Sequence, residues 1–357
     1  MTVRVRPALA GLPRYLPGKP AGSGAASYKL SSNENPYPPL PGVLTATAHA
    51  CAQMNRYPDM ANTAVSEVVA ARLGVDQSQL AFGAGSVAVL YALLQAVCEP
   101  GDEVIFAWRS FEAYPIAVQL TGATPVPVPL AAGAVHDLAA MRTAVRRQTR
   151  AILLCTPNNP TGPALPHDAV IDFLDSVPAE VLVVLDEAYV EFITDPSAVR
   201  GLEVQRDRSN IAVLRTFSKA YGLAGFRIGY GITGPDLAGG VRAASLPFGV
   251  SRVAQAAAVA SLAAEDELMV RVTELVKARG DLVQGLLDRG FDVPDAQGNF
   301  VWLPAGPRTA AYTEAFTAGG LAVRPFMAGD RGDGIRITVG EPEANDRVLT
   351  IADTLPR

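Results

Sequence analysis

Short apolar runs alternate with longer mixed stretches over most of the chain. Stretches between the runs, such as 86–98 and 167–177, are predicted to be helical. Buried strands that alternate with helices are typical of a mostly parallel sheet covered by helices on both faces. Residues 41–250 are therefore predicted to form a large α/β domain. Its predicted strands are 80–82, 103–107, 124–128, 151–155, 181–185, 210–214 and 226–232.

The pattern changes near residue 251, where it becomes helical for a long stretch. From Leu268 the apolar residues recur at roughly the spacing of one helix face, which predicts a long connecting helix. Short strands follow, and a closing helix is predicted from about Pro342. Residues 251–357 are therefore assigned to a smaller α+β domain. Its predicted strands are 299–303, 321–324 and 334–339.

Residues 1–40 are rich in proline and glycine, which argues against a long helix there. The segment also carries apolar side chains, among them Leu12, Tyr15 and Leu16. A free tail would leave these side chains in water. The segment is therefore predicted to be an N-terminal arm that packs on its own body or on a second subunit.

At 357 residues, 49% of them hydrophobic, the chain is long enough for about two domains and a sizeable core. Its net charge of −5 offers no basic excess for a nucleic-acid backbone, so nucleic-acid binding is disfavoured. No apolar run has the length of a membrane span, and residues 1–18 lack the apolar core of a signal peptide, so we expect a cytoplasmic protein. The 3 cysteines and 3 histidines are widely spaced, which predicts free thiols and no metal site.

A lysine with unusual neighbours follows the predicted strand 210–214. Lys219 has a hydroxyl beside it at Ser218 and an arginine shortly after it at Arg227. A lysine amine attacks carbonyl carbon only when it is neutral, and partial burial beside a fixed cation lowers its pKa toward that state. Serine and arginine both suit a phosphate. The three side chains together indicate pyridoxal phosphate, a phosphate-bearing aldehyde that enzymes hold as a Schiff base to lysine.

The segment 216–230 resembles the lysine segment of the fold-type I aminotransferases, which depend on pyridoxal phosphate. Within that family it is similar to the branch of histidinol-phosphate and aromatic aminotransferases. Further motifs match in the family's order, from near the start of the chain to near its end. They are Asn33-Glu34-Asn35-Pro36, Arg56-Tyr57-Pro58, Asn158-Asn159-Pro160-Thr161-Gly162, Asp186-Glu187-Ala188-Tyr189 and Gly334-Ile335-Arg336-Ile337-Thr338-Val339-Gly340.

A glycine-rich turn precedes the predicted helix 86–98. Because helix N-termini offer free amides and a favourable dipole to anions, we assign the amides of Ala84, Gly85 and Ser86 to the cofactor phosphate. The same stretch resembles a dinucleotide-binding fingerprint, with Glu103 at about the 20-residue distance of its acidic residue. Glu103 opens its predicted strand at the edge opposite to the one where ligands bind, so the nicotinamide alternative is rejected.

The resemblance implies roles for several side chains around the cofactor ring. Asp186 would pair with the pyridine nitrogen, whereas the common alternative for such a carboxylate is a helix cap. Tyr189 and Asn159 would hydrogen-bond the phenolic oxygen of the cofactor. Phe111 would stack on the ring, at a position where tyrosine is usual, or else belong to the core.

Further implied roles concern the second subunit and the substrate. Tyr57 matches the tyrosine that reaches the cofactor phosphate of the neighbouring subunit, so the resemblance implies a homodimer with shared sites. Arg336 lies in an apolar predicted strand, where an unpaired charge would cost on the order of several kcal/mol, so it requires a partner, either a protein carboxylate or an anionic ligand. In the family this arginine grips the substrate α-carboxylate, with Asn35 expected to assist.

The implied reaction is a ping-pong transamination in which Lys219 acts as general acid and base. We expect an aromatic amino acid as donor and 2-oxoglutarate as acceptor. The stretches 85–86 and 108–111 depart from the histidinol-phosphate pattern and resemble actinobacterial aromatic aminotransferases. Histidinol phosphate remains the alternative substrate, and a decarboxylase of the same fold is a further alternative.

The substrate side-chain pocket is less defined in the sequence. Tyr15, Tyr28 and Phe248 are candidates for the walls of an apolar pocket. Arg14 and Arg324 are equally candidates for a second anion site, which would suit a phosphate.

Overall fold

The computed structural model describes residues 3–6, 9, 11, 12, 15, 17, 18, 20, 27–328 and 332–356. Its largest unit is a seven-stranded sheet in the order β2-β8-β7-β6-β5-β3-β4. The strands are β2 (Leu80–Gly83), β3 (Glu103–Trp108), β4 (Thr124–Pro129), β5 (Thr149–Cys155), β6 (Leu182–Asp186), β7 (Ile211–Thr216) and β8 (Gly229–Ile232). Pairs among β3 to β7 are parallel, while β8 runs antiparallel to both of its neighbours.

The central strands are apolar on both sides, as expected for a sheet that is covered on both faces. Every residue of β6 is buried, and Val183, Val184 and Leu185 have no exposed surface. The predicted α/β fold with a mostly parallel sheet is confirmed. The helices in this part of the chain are Pro41–Cys51, Thr63–Leu73, Ser86–Val97, Ala113–Thr121, Leu138–Ala144, His167–Leu174, Gly201–Asp207 and Pro235–Ala244.

The predicted strand 226–232 is wrong at its start. Residues Ala224–Phe226 form a 3-10 turn, and Arg227 has a left-handed backbone with φ of 56°. Extended pairing is impossible at such a residue, because a strand needs a strongly negative φ. The strand therefore begins only at Gly229, and the preceding turn points Arg227 away from the sheet ladder.

The C-terminal part contains two small sheets. Strands β9 (Phe300–Pro304), β11 (Arg324–Phe326) and β12 (Gly334–Thr338) form an antiparallel sheet with β12 in the middle. Strand β1 (Tyr28–Lys29) of the arm pairs in parallel with β10 (Leu321–Ala322). The predicted single strand 321–324 is therefore divided between two sheets. The helices here are Arg252–Ala263, Glu265–Asp288, Thr309–Ala318 and Pro342–Ala352.

The predicted long connecting helix is present as Glu265–Asp288, and it begins three residues earlier than the apolar pattern indicated. Acidic residues fill its first turn, where they complement the positive end of the helix dipole. The preceding helix, Arg252–Ala263, packs against Pro41–Cys51. The domain limits at residues 40 and 250 stay a prediction.

Residues 30–35 of the arm, here called the linking segment, run between the small sheet and the large one. The amide of Leu30 donates to the Ala322 carbonyl (2.8 Å), and the Leu30 carbonyl accepts from the Thr338 amide (3.0 Å). The amide of Asn33 donates to the hydroxyl of Thr338 at 2.9 Å. These bonds place the linking segment beside β12. Across the described part of the chain, no helix has the length and apolarity needed to cross a membrane.

Candidate active site

A cavity of about 270 Å³ lies at the carboxyl ends of β5, β6 and β7, the edge where open α/β sheets bind ligands. The small sheet and the linking segment close it from the other side. It brings together most of the side chains predicted from the sequence. Those that line it are Tyr15, Ser86, Phe111, Asn159, Asp186, Tyr189, Ser218, Lys219, Arg227 and Arg336.

Lys219 lies in the turn that follows β7, and its amine points into the cavity. The Nζ atom donates to the Ser32 carbonyl in the linking segment at 3.0 Å. Burial, reinforced by the positive charge of Arg336, lowers the pKa of Lys219 to about 7. A large fraction of the amine is therefore neutral near pH 7, which a nucleophile or a general base requires.

Asp186 ends β6 and is buried beside Lys219 in the cavity wall. The hydroxyl of Tyr114 donates to its Oδ2 at 2.8 Å, while Oδ1 is buried and has no hydrogen-bond partner among the described residues. Burial raises the pKa of Asp186 to about 6. An unpartnered buried carboxylate oxygen fits a protonated ring nitrogen, which would donate to it and favour the ionised carboxylate.

An anion cradle lies at the N-terminus of the helix Ser86–Val97. Arg227 Nη1 donates to the Ser218 hydroxyl at 3.1 Å, and its Nη2 contacts the Ala84 carbonyl at 3.5 Å. Gly85 has φ of 82°, and a Cβ there would collide with the Arg227 guanidinium. A side chain at Gly85 would therefore fill the space in which a phosphate meets the arginine and the helix dipole.

The three backbone positions assigned to the phosphate differ in the structure. The Gly85 amide donates to the Gly83 carbonyl at 2.7 Å, so it is engaged within the turn. The carbonyl of Ala84 faces Arg227. Only Ser86 of the three lines the cavity.

Tyr189 and Asn159 line the cavity and contact the linking segment and β12, respectively. The Tyr189 hydroxyl accepts from Asn33 Nδ2 at 3.0 Å, and burial raises its pKa above the usual range. The phenol therefore stays protonated and has its own hydrogen to donate. The Asn159 Oδ1 accepts from Arg336 Nη1 at 2.6 Å, so this amide orients the arginine.

Arg336 is buried in the middle of β12 with neutral partners only. Its Nη1 and Nη2 donate to Asn159 Oδ1 and to the Ser31 carbonyl (2.7 Å), and its Nε is buried without a partner among the described residues. No carboxylate in the described part of the chain lies within 4 Å of the guanidinium. Burial lowers the pKa of Arg336, so the positive charge is held at a cost that an anionic ligand would offset.

Aromatic rings form the mouth of the cavity. Phe111 meets Tyr15 edge-on at 6.4 Å between ring centroids and Tyr114 at 5.6 Å. Phe326 of β11 lies beneath three guanidinium groups, those of Arg324 (5.5 Å), Arg336 (5.7 Å) and Arg109 (5.9 Å). The cavity thus has an apolar rim on one side and cations on the other.

Besides Ala84 and Gly85, two more predicted site residues do not line this cavity, Asn35 and Tyr57. Asn35 Nδ2 donates to the carbonyls of Ala220 (3.1 Å) and Lys219 (3.5 Å), so it holds the lysine turn by its backbone. Tyr57 is 76% exposed and stacks on Phe248 at 4.6 Å.

Two further candidates for the substrate pocket are not among the described residues that line the cavity. Tyr28 lies in β1 beneath Arg347 and away from the cavity. Arg14 lies outside the described residues.

Sequence reasoning missed several residues that shape the site. Tyr114 and Ser32 gave no signal, because their roles depend on packing between distant segments. Asn33 stood in a quoted motif but received no role, although its side chain reaches Tyr189. Glu112, which forms an ion pair with Arg324 in the cavity wall, was also missed. Among the described residues, no cluster of His, Cys, Asp and Glu is placed to hold a metal ion.

The chain is similar to known aminotransferases over most of its length. A family profile described as aminotransferase class I and II matches residues 27–351. An aromatic amino acid aminotransferase of Streptomyces avermitilis is 54% identical over 351 residues, covering 98% of this chain and 97% of that protein. A protein of the same description from Thermobifida fusca is 50% identical over 354 residues, covering 99% and 97%.

Solved structures show the same fold. The crystal structure of a histidinol-phosphate aminotransferase from Sinorhizobium meliloti, in complex with pyridoxal 5′-phosphate, has a TM-score of 0.88 and 29% identity. The match covers 99% of this chain and 98% of that chain. A mutant aspartate aminotransferase from Thermus thermophilus has a TM-score of 0.83 at 22% identity, with 99% of each chain covered.

Proposed function

We propose that this chain, which belongs to the family of class I and II aminotransferases, uses pyridoxal 5′-phosphate to transaminate aromatic L-amino acids with 2-oxoglutarate. The observation that carries the proposal is a set of three buried groups around one cavity whose charge or hydrogen-bonding capacity is not fully compensated within the protein. Lys219 has a pKa near 7, Asp186 has an unpartnered oxygen, and Arg336 lacks a carboxylate among the described residues. Each of these groups is costly to bury without a compensating partner, and each is matched by a part of the cofactor or substrate.

The residues that would hold the cofactor follow from this arrangement. Arg227, Ser218 and the N-terminus of Ser86–Val97 suit its phosphate, and Asp186 suits its ring nitrogen. Tyr189 and Asn159 suit its phenolic oxygen, and Phe111 its face. When bound, the cofactor supplies a ring that withdraws electrons from the substrate Cα.

The protein's own groups then perform binding and proton transfer. Arg336 binds the α-carboxylate that every amino acid and 2-oxo acid substrate carries. Lys219, held at the cavity by Ser32, accepts the proton of Cα, and with the cofactor bound its protonated amine would deliver that proton to the cofactor and not back to Cα. Amino acid and 2-oxo acid carry the same α-carboxylate, so one arginine serves both halves of a ping-pong reaction.

Two observations support an aromatic substrate. The relatives that are about half identical over their full length are described as aromatic amino acid aminotransferases. The rings of Tyr15, Phe111 and Phe326 lie at the cavity, where they can contact an apolar side chain. Histidinol phosphate is the second candidate, favoured by the Sinorhizobium meliloti structure and by the second arginine at the cavity, Arg324.

We further propose that the protein is a homodimer with Tyr57 at the interface. A groove of about 1350 Å³ adjoins the cavity, and the two share Tyr15, Phe111 and Arg227. Large apolar side chains are exposed at or near it, among them Met60 (60%) and Leu246 (83%). A second copy of the chain would cover this surface beside the anion cradle. Sedimentation should give a dimer, whereas a fully active monomer would contradict the proposal.

We also propose a cytoplasmic location. The cysteines are free thiols in the structure, and two of them, Cys98 and Cys155, are buried. Unpaired cysteines are usual in a reducing compartment. Fractionation of the producing cells with an antibody to the protein tests the location, and recovery outside the cytoplasm would contradict it.

The substrate proposal is tested by steady-state kinetics on the cofactor-loaded enzyme. The quantities compared are kcat/KM for phenylalanine, tyrosine and histidinol phosphate, each with 2-oxoglutarate in excess. We expect the two aromatic amino acids to exceed histidinol phosphate by at least about tenfold, because a phosphate would lose its hydration among the rings of the pocket, whereas an aromatic side chain would not. A large preference for histidinol phosphate would replace the first candidate by the second.

A further inference from the structure

Two arginines face the cavity from neighbouring strands of the small sheet. Arg324 of β11 and Arg336 of β12 are direct partners in the antiparallel register, so their side chains lie on the same face. Both line the cavity, and both guanidinium groups lie over Phe326. Like charges that are directly opposed in a sheet repel each other, so the pair needs compensation.

The two arginines are compensated in different ways. Arg336 has a side-chain amide and a backbone carbonyl as partners, and therefore keeps its net charge. Arg324 Nη2 forms an ion pair with Glu112 Oε2 at 2.5 Å. The end of the cavity at Arg336 is thus cationic, and the end at Arg324 is neutral.

Glu112 is placed so that its carboxylate can leave this pair. It directly precedes the helix Ala113–Thr121 and makes no side-chain cap to that helix. Its side chain is 29% exposed, compared with 9% for Arg324. No other hydrogen bond fixes the carboxylate to a described residue, so water can solvate it when Arg324 binds another anion.

We propose that Glu112 is an internal counter-ion which determines how the substrate side-chain pocket receives neutral and anionic groups. This inference rests on the proposed function and deepens it. With an aromatic side chain, Glu112 stays on Arg324 and keeps the wall of the pocket neutral. When the ligand carries a second carboxylate, as 2-oxoglutarate does, or a phosphate, Glu112 releases Arg324 to the ligand.

The electrostatic balance explains why a removable counter-ion suits this reaction. A bare Arg324 would be a buried charge against an aromatic side chain, which is costly. A permanently neutral residue at that position would give no partner to the second carboxylate of 2-oxoglutarate. Glu112 therefore tunes the selectivity between the two classes of ligand by competing with one of them.

The test uses two unreactive ligands on the cofactor-loaded enzyme. Glutarate carries two carboxylates, whereas 3-phenylpropionate carries one carboxylate and a phenyl ring. Their dissociation constants are measured by competition against phenylalanine turnover and by the change in cofactor absorbance. The variants are Glu112→Gln, which keeps the shape and removes the charge, Glu112→Asp, and Arg324→Gln. Glu203→Gln is the control, because Glu203 forms an exposed ion pair with Arg200 and does not line the cavity.

In Glu112→Gln we expect the preference for glutarate over 3-phenylpropionate to rise by at least about tenfold, which corresponds to about 1.4 kcal/mol. Two effects raise this preference. Glutarate binds more tightly because Glu112 no longer competes with it for Arg324, and 3-phenylpropionate binds more weakly because its phenyl ring meets an uncompensated cation. The aspartate variant should return toward wild type, the Arg324→Gln variant should lower the preference for glutarate, and Glu203→Gln should leave it unchanged.

An unchanged preference in Glu112→Gln, with phenylalanine still transaminated, would overturn the inference and leave the proposed function intact. Equal weakening of both ligands would also overturn it, because that result indicates a structural role only. If the wild-type enzyme does not turn over aromatic amino acids, the proposed function fails. In that case the ligand preference, read by cofactor absorbance, still decides the role of Glu112.

Discussion

Asp186 and Glu187 are consecutive buried acidic residues, yet their carboxylates have opposite environments. Glu187 accepts from Arg215 Nε (3.0 Å) and Nη2 (2.8 Å) and from the Gly201 amide (2.9 Å). Asp186 accepts from one neutral phenol, and its second oxygen has no partner among the described residues. The side chains alternate across the strand end, so one carboxylate faces the cavity and the other faces a closed interior.

The cations repeat this contrast. Burial alone would lower the pKa of Arg215, but the carboxylate of Glu187 raises it above the ordinary value. In contrast, burial lowers the pKa values of Lys219 and Arg336. Glu187 and Arg215, which lie outside the cavity, compensate each other's buried charge. For Asp186, Lys219 and Arg336, inside the cavity, this compensation is left to a ligand, and uncompensated buried groups of this kind are typical of functional sites.

The largest expected effect comes from removing the amine at the centre of the cavity. Lys219→Ala should lower kcat by at least about 10²–10⁴-fold, the usual contribution of a positioned acid–base group, and abolish the visible absorbance of the bound cofactor. Lys277→Ala, at an exposed position on Glu265–Asp288, is the control. Near-normal turnover in Lys219→Ala would show that the uncompensated lysine is not the reacting group.

The paired and unpaired carboxylates should respond differently to loss of charge. Asp186→Asn should lower kcat by about 10²–10³-fold, as for removal of one electrostatic group at a reacting centre, with little loss of stability. Glu187→Gln breaks a buried ion pair and should cost about 3–5 kcal/mol in the free energy of unfolding. Urea unfolding and steady-state kinetics on both variants decide, and an exchange of the two outcomes would contradict the comparison.

The arginines provide a smaller effect of the same kind. Arg336→Lys loses the two-pronged contact and should raise KM by about 10–100-fold, equally for amino acid and 2-oxo acid, because both carry the α-carboxylate. Arg215→Lys should weaken the protein and leave KM unchanged. If Arg336→Lys affected only one of the two substrates, its assignment to the shared carboxylate would be wrong.

The smallest effect is on the stability of the cofactor-free protein. Lys219 has a folded pKa of about 7 against an ordinary value of 10.5, so between these values the unfolded state holds more protons. Stability from this group therefore rises with pH across that window, and the burial penalty is complete below it. At pH 6 the Lys219→Met variant should have a larger free energy of unfolding than wild type. This difference should disappear by about pH 10.5. A pH-independent difference would mean that the amine is not buried in a charged form.

The sequence predicted which residues lie together where the strand pattern alone fixes their position, while their roles stay a prediction. Lys219 and Asp186 follow strands whose apolar runs are continuous, and parallel strands bring their carboxyl ends to one edge. Their positions could therefore be inferred before any tertiary contact was known. Arg336 was found because a lone charge in an apolar strand requires an explanation.

Prediction failed where long-range pairing overrides local pattern. The sequence predicts one strand over 321–324, but β10 pairs with the arm and β11 with β12. The division depends on a partner of β10 that lies near the start of the chain. The strand at Gly229 starts late because the left-handed backbone of Arg227 serves the anion cradle. Glu112 carries no local signal, since its role exists only through Arg324 in the other part of the fold.

The linking segment has a mechanical consequence. Its residues 30 and 33 are bonded to Thr338 of the small sheet, while Ser32 holds the amine of Lys219 and Asn35 holds the backbone of the same turn. A displacement of β12 relative to the large sheet must therefore either break these bonds or pull on the lysine. The six residues 30–35 thus couple the small sheet to Lys219, so a shift of the small sheet also moves the lysine amine.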